Sequence, residues 1–214
     1  MFTGIVEEAA KVASAEIRGA CKRVRIQKPR GWKLSNGQSM SIDGICSTVV
    51  SFGKNSFDVE YMPETLSKTT AGYFARGSVV NLERSLRYGD RIEGHLMQGH
   101  VDGRMRIGAI IEIGRSRELV VAVPSALEKR IALHGSIALN GVSLTVAQKR
   151  GHTIVVALIP HTIAHTNLGL LSVGDRVNIE FDHTALLAMR TAHGTVARNE
   201  AKGIFKRSRT EKRR

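Results

Sequence analysis

The sequence predicts an all-β fold with short helices: two similar six-stranded antiparallel barrels made by internal duplication, followed by a C-terminal α-helix. Three observations predict it. The turn-and-strand "DGICSTVV" (43–50) returns as "NGVSLTVA" (140–147), 97 positions later. Short runs rich in Val, Ile and Thr, bounded by Gly, Asn and Asp, recur through both halves. About six such runs fall within each half, and closing them into a barrel removes exposed strand edges.

The repeat is longer than this opening motif. "PETLSKTTAG" (63–72) returns as "PHTIAHTNLG" (160–169), and "GSVVNLE" (77–83) as "GDRVNIE" (174–180). Pro63 and Pro160, Thr65 and Thr162, Gly72 and Gly169, and Asn81 and Asn178 all keep the offset of 97. Near the start, "TGIVEEAAKV" (3–12) faces "QGHVDGRMRI" (98–107) at an offset of 95, and a two-residue insertion reconciles the two. A period this long is not that of a solenoid. It divides the chain into an N-terminal barrel at 1–87 and a C-terminal barrel at 88–183.

The strand signals, in order, are "RVRIQ" (23–27), "SFDVEYM" (56–62), "VVNLE" (79–83), "LVVAV" (119–123), "SIALNG" (136–141), "TIVVALI" (153–159) and "RVNIE" (176–180). Asn36-Gly37, Asp43-Gly44, Asn140-Gly141 and Gly174-Asp175 punctuate them as turns. "PSALEKRIALHG" (124–135) reads as a short helix, with Ser125 as N-cap, Glu128 completing a capping box and Gly135 as the stop. Over 184–200, Leu186, Met189, Ala192 and Val196 recur every three or four residues, as one helix face does, and Gly194 is its weak point. This helix belongs to neither copy, and joining subunits is the role expected of it.

Composition bounds the function. Of 214 residues, 42% are apolar and 24% charged, an ordinary globular balance. No apolar run is long enough to span a membrane. The N-terminus "MFTGIVEEAA" carries Glu7 and Glu8 and no basic region, so a signal peptide is not expected. Two cysteines, Cys21 and Cys46, make a poor disulfide framework and read as reduced thiols in the cytoplasm. The net charge of +13 suggests a nucleic-acid partner. Its distribution argues against one, because residues 201–214 hold seven basic side chains against Glu211. Such a tail is too polar to pack and is expected to be solvated and disordered. Aromatic residues for base stacking are only 5% of the chain.

The chemistry-bearing positions follow the two turns. Asp43-Gly44 and Asn140-Gly141 suit hairpins that need positive φ. Beyond them Cys46 and Thr48 share one strand face, with Ser47 on the other; Ser143 and Thr145 share the matching face. Each half could thus offer two small polar groups to a ligand at a barrel mouth, with a thiol where the other copy has a hydroxyl. The competing reading is that small residues simply pack well in barrels. In "EGHLMQGHVDG" (93–103), His95 and His100 stand five apart, which on a strand puts the rings on opposite faces. No third ligand is near in sequence, so no metal is expected. His95 is expected to pack at the junction of the halves, and His100 to carry protons.

The start "MFTGIVE", the pairs "DGICSTV"/"NGVSLTV" and "PETLSKTT"/"PHTIAHTN", and the "GHLMQGHVDG" junction together resemble the riboflavin synthase family over about residues 1–190. Rossmann, P-loop and zinc motifs are absent. The resemblance implies a homotrimeric transferase of riboflavin biosynthesis with two lumazine-binding barrels and a C-terminal trimerisation helix. It implies a dismutation: two molecules of 6,7-dimethyl-8-ribityllumazine give riboflavin and 5-amino-6-(D-ribitylamino)uracil by transfer of a four-carbon unit, without a cofactor. It implies catalytic roles for Cys46, Ser39, His100 and Asp182. For the N-terminal pocket it implies Gly4, Ile5 and Val6; Cys46, Ser47 and Thr48; Glu60, Tyr61, Met62, Pro63, Glu64 and Thr65; and Gly99, His100 and Val101. For the C-terminal pocket it implies His134; Ser143, Leu144 and Thr145; and Ala157, Leu158, Ile159, Pro160, His161 and Thr162.

Three residues depart from the family pattern. Ser47 stands where Leu is usual, His161 where Glu is frequent, and His134 where Lys is common. Two other readings compete: a non-catalytic lumazine- or flavin-binding protein on the same fold, and a basic barrel that binds RNA.

Overall fold

Period-two alternation organises the strands. In β4 (Ile45–Phe52), Ile45, Ser47 and Val49 are buried while Cys46, Thr48 and Val50 face out. The same rule holds in β2 (Cys21–Gln27), where Lys22, Val24 and Ile26 are the buried residues. The computed structural model describes residues 1–185 and residue 187. Among these, strands β1 (Glu8–Arg18), β2, β3 (Ser39–Ile42), β4, β5 (Ser56–Tyr61) and β6 (Val79–Arg84) close into one barrel, in the order β1-β2-β5-β4-β3-β6. Strands β7 (Gly103–Ile113), β8 (Ser116–Ala122), β9 (Ser136–Leu139), β10 (Val142–Arg150), β11 (Thr153–Leu158) and β12 (Arg176–Phe181) close into a second with the same order. All pairings are antiparallel, and even the irregularities repeat. The register slips between Val12 and Ser14 and again between Ile107 and Ala109, and between Val49 and Ser51 and again between Val146 and Gln148. Such bulges give the strands the curvature that closure needs.

Each barrel is filled by its own inward rows. Val24, Ile26, Met40, Ile42, Val49, Phe57, Val59, Val80 and Leu82 fill the first. Ile107, Leu119, Val121, Ile137, Leu139, Val146, Val156, Val177 and Ile179 fill the second. Between β5 and β6 a short helix, α1 (Pro63–Lys68), leads into a 3-10 turn; α3 (Pro160–His165) does the same between β11 and β12. Proline at the first helical position fits both starts. A basic side chain ties each 3-10 turn down. Lys22 Nζ donates to Gly72 O at 2.8 Å, and Arg117 Nη1 to Gly169 O at 2.7 Å.

The two hairpin turns meet back to back. Asp43 and Asn140 have φ of 48° and 44°, and Gly44 and Gly141 follow at 77° and 76°. A Cβ on Gly44 would lie 2.8 Å from the Gly141 nitrogen, so only glycine allows this approach. Around the contact runs a buried polar seam with two-fold character. Asn81 Nδ2 donates to Asn140 O, and Asn178 Nδ2 to Asp43 O. Asn81 Oδ1 accepts from Asn167 N, and Asn178 Oδ1 from Thr70 N. Fully satisfied buried networks of this kind specify one arrangement of the elements that share them.

The short helix expected at 124–135 is smaller than its signals suggested. α2 spans only Ser125–Glu128, its N-cap is Pro124, and no side chain caps it. Glu128 is drawn off to pair with His152, so it never closes a capping box with Ser125. The stop also differs, because His134, not Gly135, takes the left-handed backbone at φ 63°. Residues 1–182, with both barrels, form one compact unit. His183, Thr184, Ala185 and Leu187 are helical. The rest of the helix expected at 184–200, and the tail expected at 201–214, lie outside the described residues. No helix among the described residues is long and apolar enough to cross a membrane.

Asp43 breaks the symmetry of the seam, since its counterpart is Asn140. Burial pushes its carboxyl from 3.8 up to about 7, against the opposing hydrogen bonds from Asn81 N and Asn167 Nδ2. A group raised in the folded state stabilises the fold below its unfolded value and loses that contribution as pH rises through the folded one. Stability from Asp43 should therefore decline between about pH 4 and pH 7. Asp43→Asn should remove this slope and gain on the parent by up to about 4 kcal/mol at pH 8. Urea midpoints measured from pH 5 to 8 check it; parallel curves for parent and variant would contradict it.

Candidate active site

Two short straps, residues 2–6 and 97–101, precede the first strand of each barrel, and each lies on the opposite barrel. They pair with one another at the middle: Phe2 N donates to Met97 O at 2.8 Å and Met97 N to Phe2 O at 2.9 Å. Gly4 O then accepts from Ser143 N at 2.8 Å, and Gly99 O from Cys46 N at 2.9 Å. Both glycines have left-handed backbone, at φ 77° and 78°. A Cβ on Gly4 would lie 2.7 Å from Ser143 Cβ, and one on Gly99 2.7 Å from Cys46 Cβ.

A buried carboxylate on the last strand of each strap's own barrel holds it. Glu83 Oε1 accepts from Thr3 N at 2.6 Å and Thr3 Oγ1 at 2.7 Å, while Oε2 accepts from Gly4 N at 3.0 Å. Glu180 accepts from Gln98 N at 2.7 Å and Gly99 N at 3.0 Å. Burial raises the Glu83 carboxyl, and the bonds from Thr3 and Gly4 oppose the rise.

These straps divide the expected site residues in a way the sequence did not. Gly99, His100 and Val101 join Cys46 on the N-terminal barrel, as expected. Gly4, Ile5 and Val6 do not: the strap carries them to Ser143 on the C-terminal barrel. The N-terminal half-site therefore has Cys46 and Thr48 exposed on β4, Ser39 opposite Thr48 on β3, exposed His100, and Met62 to Thr65 at the head of α1. The C-terminal half-site has Ser143 and Thr145 on β10, Ser136 opposite Thr145 on β9, and Ile159 to Thr162 at the head of α3. Ser136, in the register of Ser39, went unnoticed in the sequence although the offset of 97 leads to it. Cys46 and Thr48 stand on the outer face of the barrel wall, not inside a mouth.

Several expected contact residues turn inward. Ser47 and Tyr61 are both 3% exposed, and Ser47 Oγ lies 3.0 Å from the Tyr61 hydroxyl. The serine is explained by this pair, because a phenol buried in a barrel needs a partner. The second barrel has Leu144 and Leu158 at the matching positions. Leu158 is wholly buried, so only its backbone faces the site. His161 stacks on His165 with ring centroids 4.1 Å apart. Glu60, Pro63, Glu64, His134, Ala157 and Pro160 are exposed, and Thr65 and Thr162 half-buried.

His95 is buried at the junction, as expected, yet its Nδ1 lies 2.7 Å from Ser143 Oγ. Segment 93–102 is not a strand, so the argument from opposite faces does not apply to it. Nothing in the repeat marks His95, since the N-terminal half has no residue at that offset. Its Nε2 is buried without a hydrogen-bond partner among the described residues. Burial lowers its pKa and the charge of Asp182, just beyond β12, opposes the shift; burial prevails and the ring is held neutral. Among the described residues no imidazole is hydrogen-bonded to Cys46. Among the described residues no three His, Cys, Asp or Glu are arranged to hold a metal. A cavity of about 760 Å³ beside Ile5 is lined by Glu7, Lys33, Arg84, Arg87 and Arg91 among others, and by none of Cys46, His100, His95 or Ser143. Cys46, Thr48 and His100 are exposed at one half-site, and Ile5, Thr145 and Ile159 at the other.

The carboxylate clasps can be tested directly. Glu180→Gln leaves one side-chain carbonyl for two main-chain amides, that of Gly99 buried, and should cost about 1–3 kcal/mol. Glu83→Gln should cost a similar amount. Urea unfolding checks both; midpoints equal to the parent's would contradict the clasp.

A family profile described as Lumazine binding domain matches residues 3–85 and again 98–182. The riboflavin synthase of Bacillus subtilis (strain 168) is 37% identical over 194 residues, covering 90% of each chain. That of Chlamydia muridarum (strain MoPn / Nigg) is 38% identical over 213 residues, covering 96% of this chain and all of the other. The crystal structure of LumP complexed with riboflavin superposes with a TM-score of 0.80 at 24% identity, over 85% of this chain and 99% of that one, a likeness of fold. With the profile matched over both halves and relatives 37–38% identical along 90% or more of the chain, the chain belongs to the riboflavin synthase family.

Proposed function

We propose that the chain catalyses the riboflavin synthase reaction, in which two molecules of 6,7-dimethyl-8-ribityllumazine exchange a four-carbon unit and leave as riboflavin and 5-amino-6-(D-ribitylamino)uracil. One observation carries this reading: two half-sites share one backbone plan and differ in chemistry, a free thiol at Cys46 against a serine–imidazole pair at Ser143 and His95. A reaction between two copies of one molecule needs two like cradles and two unlike roles. The relatives named riboflavin synthase support it. The atoms of the two substrates equal those of the two products, so the stoichiometry calls for no oxidant or reductant.

The C7 methyl of the lumazine is acidic because the ring system accepts the electron pair. We assign the donor molecule to the C-terminal half-site. There Ser143 Oγ–H donates to His95 Nδ1, and the pair takes the methyl proton. Burial keeps His95 neutral and so available as a base, and the Asp182 carboxylate steadies the imidazolium that forms. We assign the acceptor to the N-terminal half-site, where Cys46, Ser39 and Thr48 act on the ring and His100 carries protons. Gly4 to Val6 and Gly99 to Val101 line the ring edges with backbone groups.

Each half-site lies open, with apolar residues exposed at its rim: Met62 at 62%, Ile159 at 59% and Ile5 at 44%. The closing surface in this reading is another copy of the chain. The N-terminal barrel of one chain faces the C-terminal barrel of its neighbour in a homotrimer, and the two rings stack between them. Orientation of this kind can supply up to ~7–11 kcal/mol of the barrier. Two free cysteines fit a reducing compartment such as the cytoplasm.

Purified protein incubated with 6,7-dimethyl-8-ribityllumazine should develop flavin fluorescence. Binding without fluorescence would turn the reading to a ligand carrier. Cys46→Ser should keep the fold, by circular dichroism, and lose turnover by at least about a hundredfold, as removal of an acting group does. Undiminished turnover would remove the thiol from the chemistry. His95→Gln should lower kcat by about 10²–10⁴. Because burial lowers the His95 pKa, the parent's kcat should hold level down to pH 6.5 and fall only below it; an acid limb centred above pH 7 would contradict the assignment.

A further inference from the structure

Away from both half-sites, three arginines gather at the seam between the barrels. Arg104 and Arg106 stand two apart on the outer face of β7, and Arg176 on β12 is the direct cross-strand neighbour of Arg106. Like charges directly opposite one another on a sheet repel. Facing them is Tyr73, 55% exposed, at the end of the 3-10 turn of the first half. The guanidinium carbons of Arg104 and Arg176 each lie 5.2 Å from the centre of its ring. Arg104 Nη1 donates to the Tyr73 hydroxyl at 3.0 Å, and Arg176 Nη1 donates to the same oxygen. Two cations thus converge on one neutral acceptor.

No carboxylate lies within ion-pair distance of these three arginines among the described residues. The acid next in sequence, Asp175, accepts instead from Ser172 N at 2.8 Å within its own turn. A cavity of about 380 Å³ adjoins the group, walled by Tyr73, Phe74, Leu171, Ser78, Arg106 and Arg176, with Asp175 also on its lining. Its volume falls in the range of small-molecule sites. The duplication does not account for the cluster. At the corresponding positions of the other copy stand Leu170 for Tyr73, Ala9 for Arg104, Lys11 for Arg106 and Val79 for Arg176.

We propose that Arg104, Arg106, Arg176 and Tyr73 form an anion site for a small phosphomonoester, whose phosphate is held by the guanidinium forks and whose organic part occupies the adjoining cavity. Planar guanidinium groups match phosphate oxygens in pairs. A dianion among three cations relieves their mutual repulsion, and the Tyr73 hydroxyl, already drawn toward two of them, is placed to donate to a phosphate oxygen. The apolar wall of Phe74 and Leu171 offers burial to a ring or chain that carries the phosphate. The site spans the seam, with the arginines on the second barrel and Tyr73, Phe74 and Ser78 from the first half, and none of its residues belongs to the proposed synthase machinery.

Calorimetric titration of the full chain tests this with three probes: adenosine monophosphate, inorganic phosphate and adenosine. Binding of the monophosphate, with adenosine silent, is the expected result. Inorganic phosphate binding at least tenfold more weakly than the monophosphate supports use of the cavity; equal affinity would assign the site to free phosphate instead and overturn the phosphomonoester. The double variant Arg104→Gln/Arg176→Gln should weaken the monophosphate at least tenfold, and Arg106→Gln alone should weaken it measurably. Both should form flavin at the parental rate, which also shows that they fold. Undiminished binding in both variants would place the anion elsewhere on this basic chain and overturn the proposal. No binding of either phosphate at low salt would overturn it equally.

Discussion

Everything in this molecule rests on the exchange of straps between its two halves. A barrel wall can present an exposed thiol or hydroxyl on any outward strand position, but a bare wall holds nothing in place. Here the wall at Cys46 receives Gly99 from the other half, and the wall at Ser143 receives Gly4. Each contact requires a backbone with no side chain, and each strap is clasped by a carboxylate that takes two main-chain amides. Backbone amides gathered on a buried carboxylate are fixed more firmly than a loop held by packing alone, since charge-assisted bonds are the stronger kind. Neither half covers its own wall, which in the proposed reading ties the integrity of the chemistry to the integrity of the seam.

Symmetry in the frame allows asymmetry where roles differ. The strand order, the bulges, the two turns and the clasps repeat almost without change. The departures are few and compensated. Ser47 replaces a leucine position together with Tyr61 replacing another, so that one buried hydroxyl satisfies the other. Asp43 opposes Asn140 at the centre of the seam, within one hydrogen-bonded network. At the paired positions Cys46 and Ser143 differ, and among the described residues the serine alone of the two has an imidazole within hydrogen-bond reach. Two equal sites would give two equal roles; this chain keeps the cradle twice and varies what stands in it.

Much of the fold was legible because its signals are local. Alternation along β4 and β10, the Asp43-Gly44 and Asn140-Gly141 turns, and the offset of 97 each act over a few residues or by direct comparison. What the sequence hid was relational. That Gly4 lies on Ser143 depends on where two barrels sit, and no spacing reveals it. The same is true of His95, whose importance comes from a serine 48 positions away. The helix near Ser125 is shorter than its signals suggest because its capping acid pairs with His152, a tertiary contact that outweighs a local preference. Ser47 and Tyr61 fall within contiguous stretches that the resemblance supplies, whereas a strand gives only alternate side chains to either face, and both of theirs turn inward.

In the proposed reading each chain carries two working cradles. Equilibrium titration of the full protein with a non-reacting lumazine analogue, read by calorimetry, measures this most directly. Two molecules bound per chain, with one class lost when Ser143 is replaced by a bulky residue and the other when Thr48 is, is what paired cradles predict. A single molecule per chain, abolished by either replacement, would contradict it.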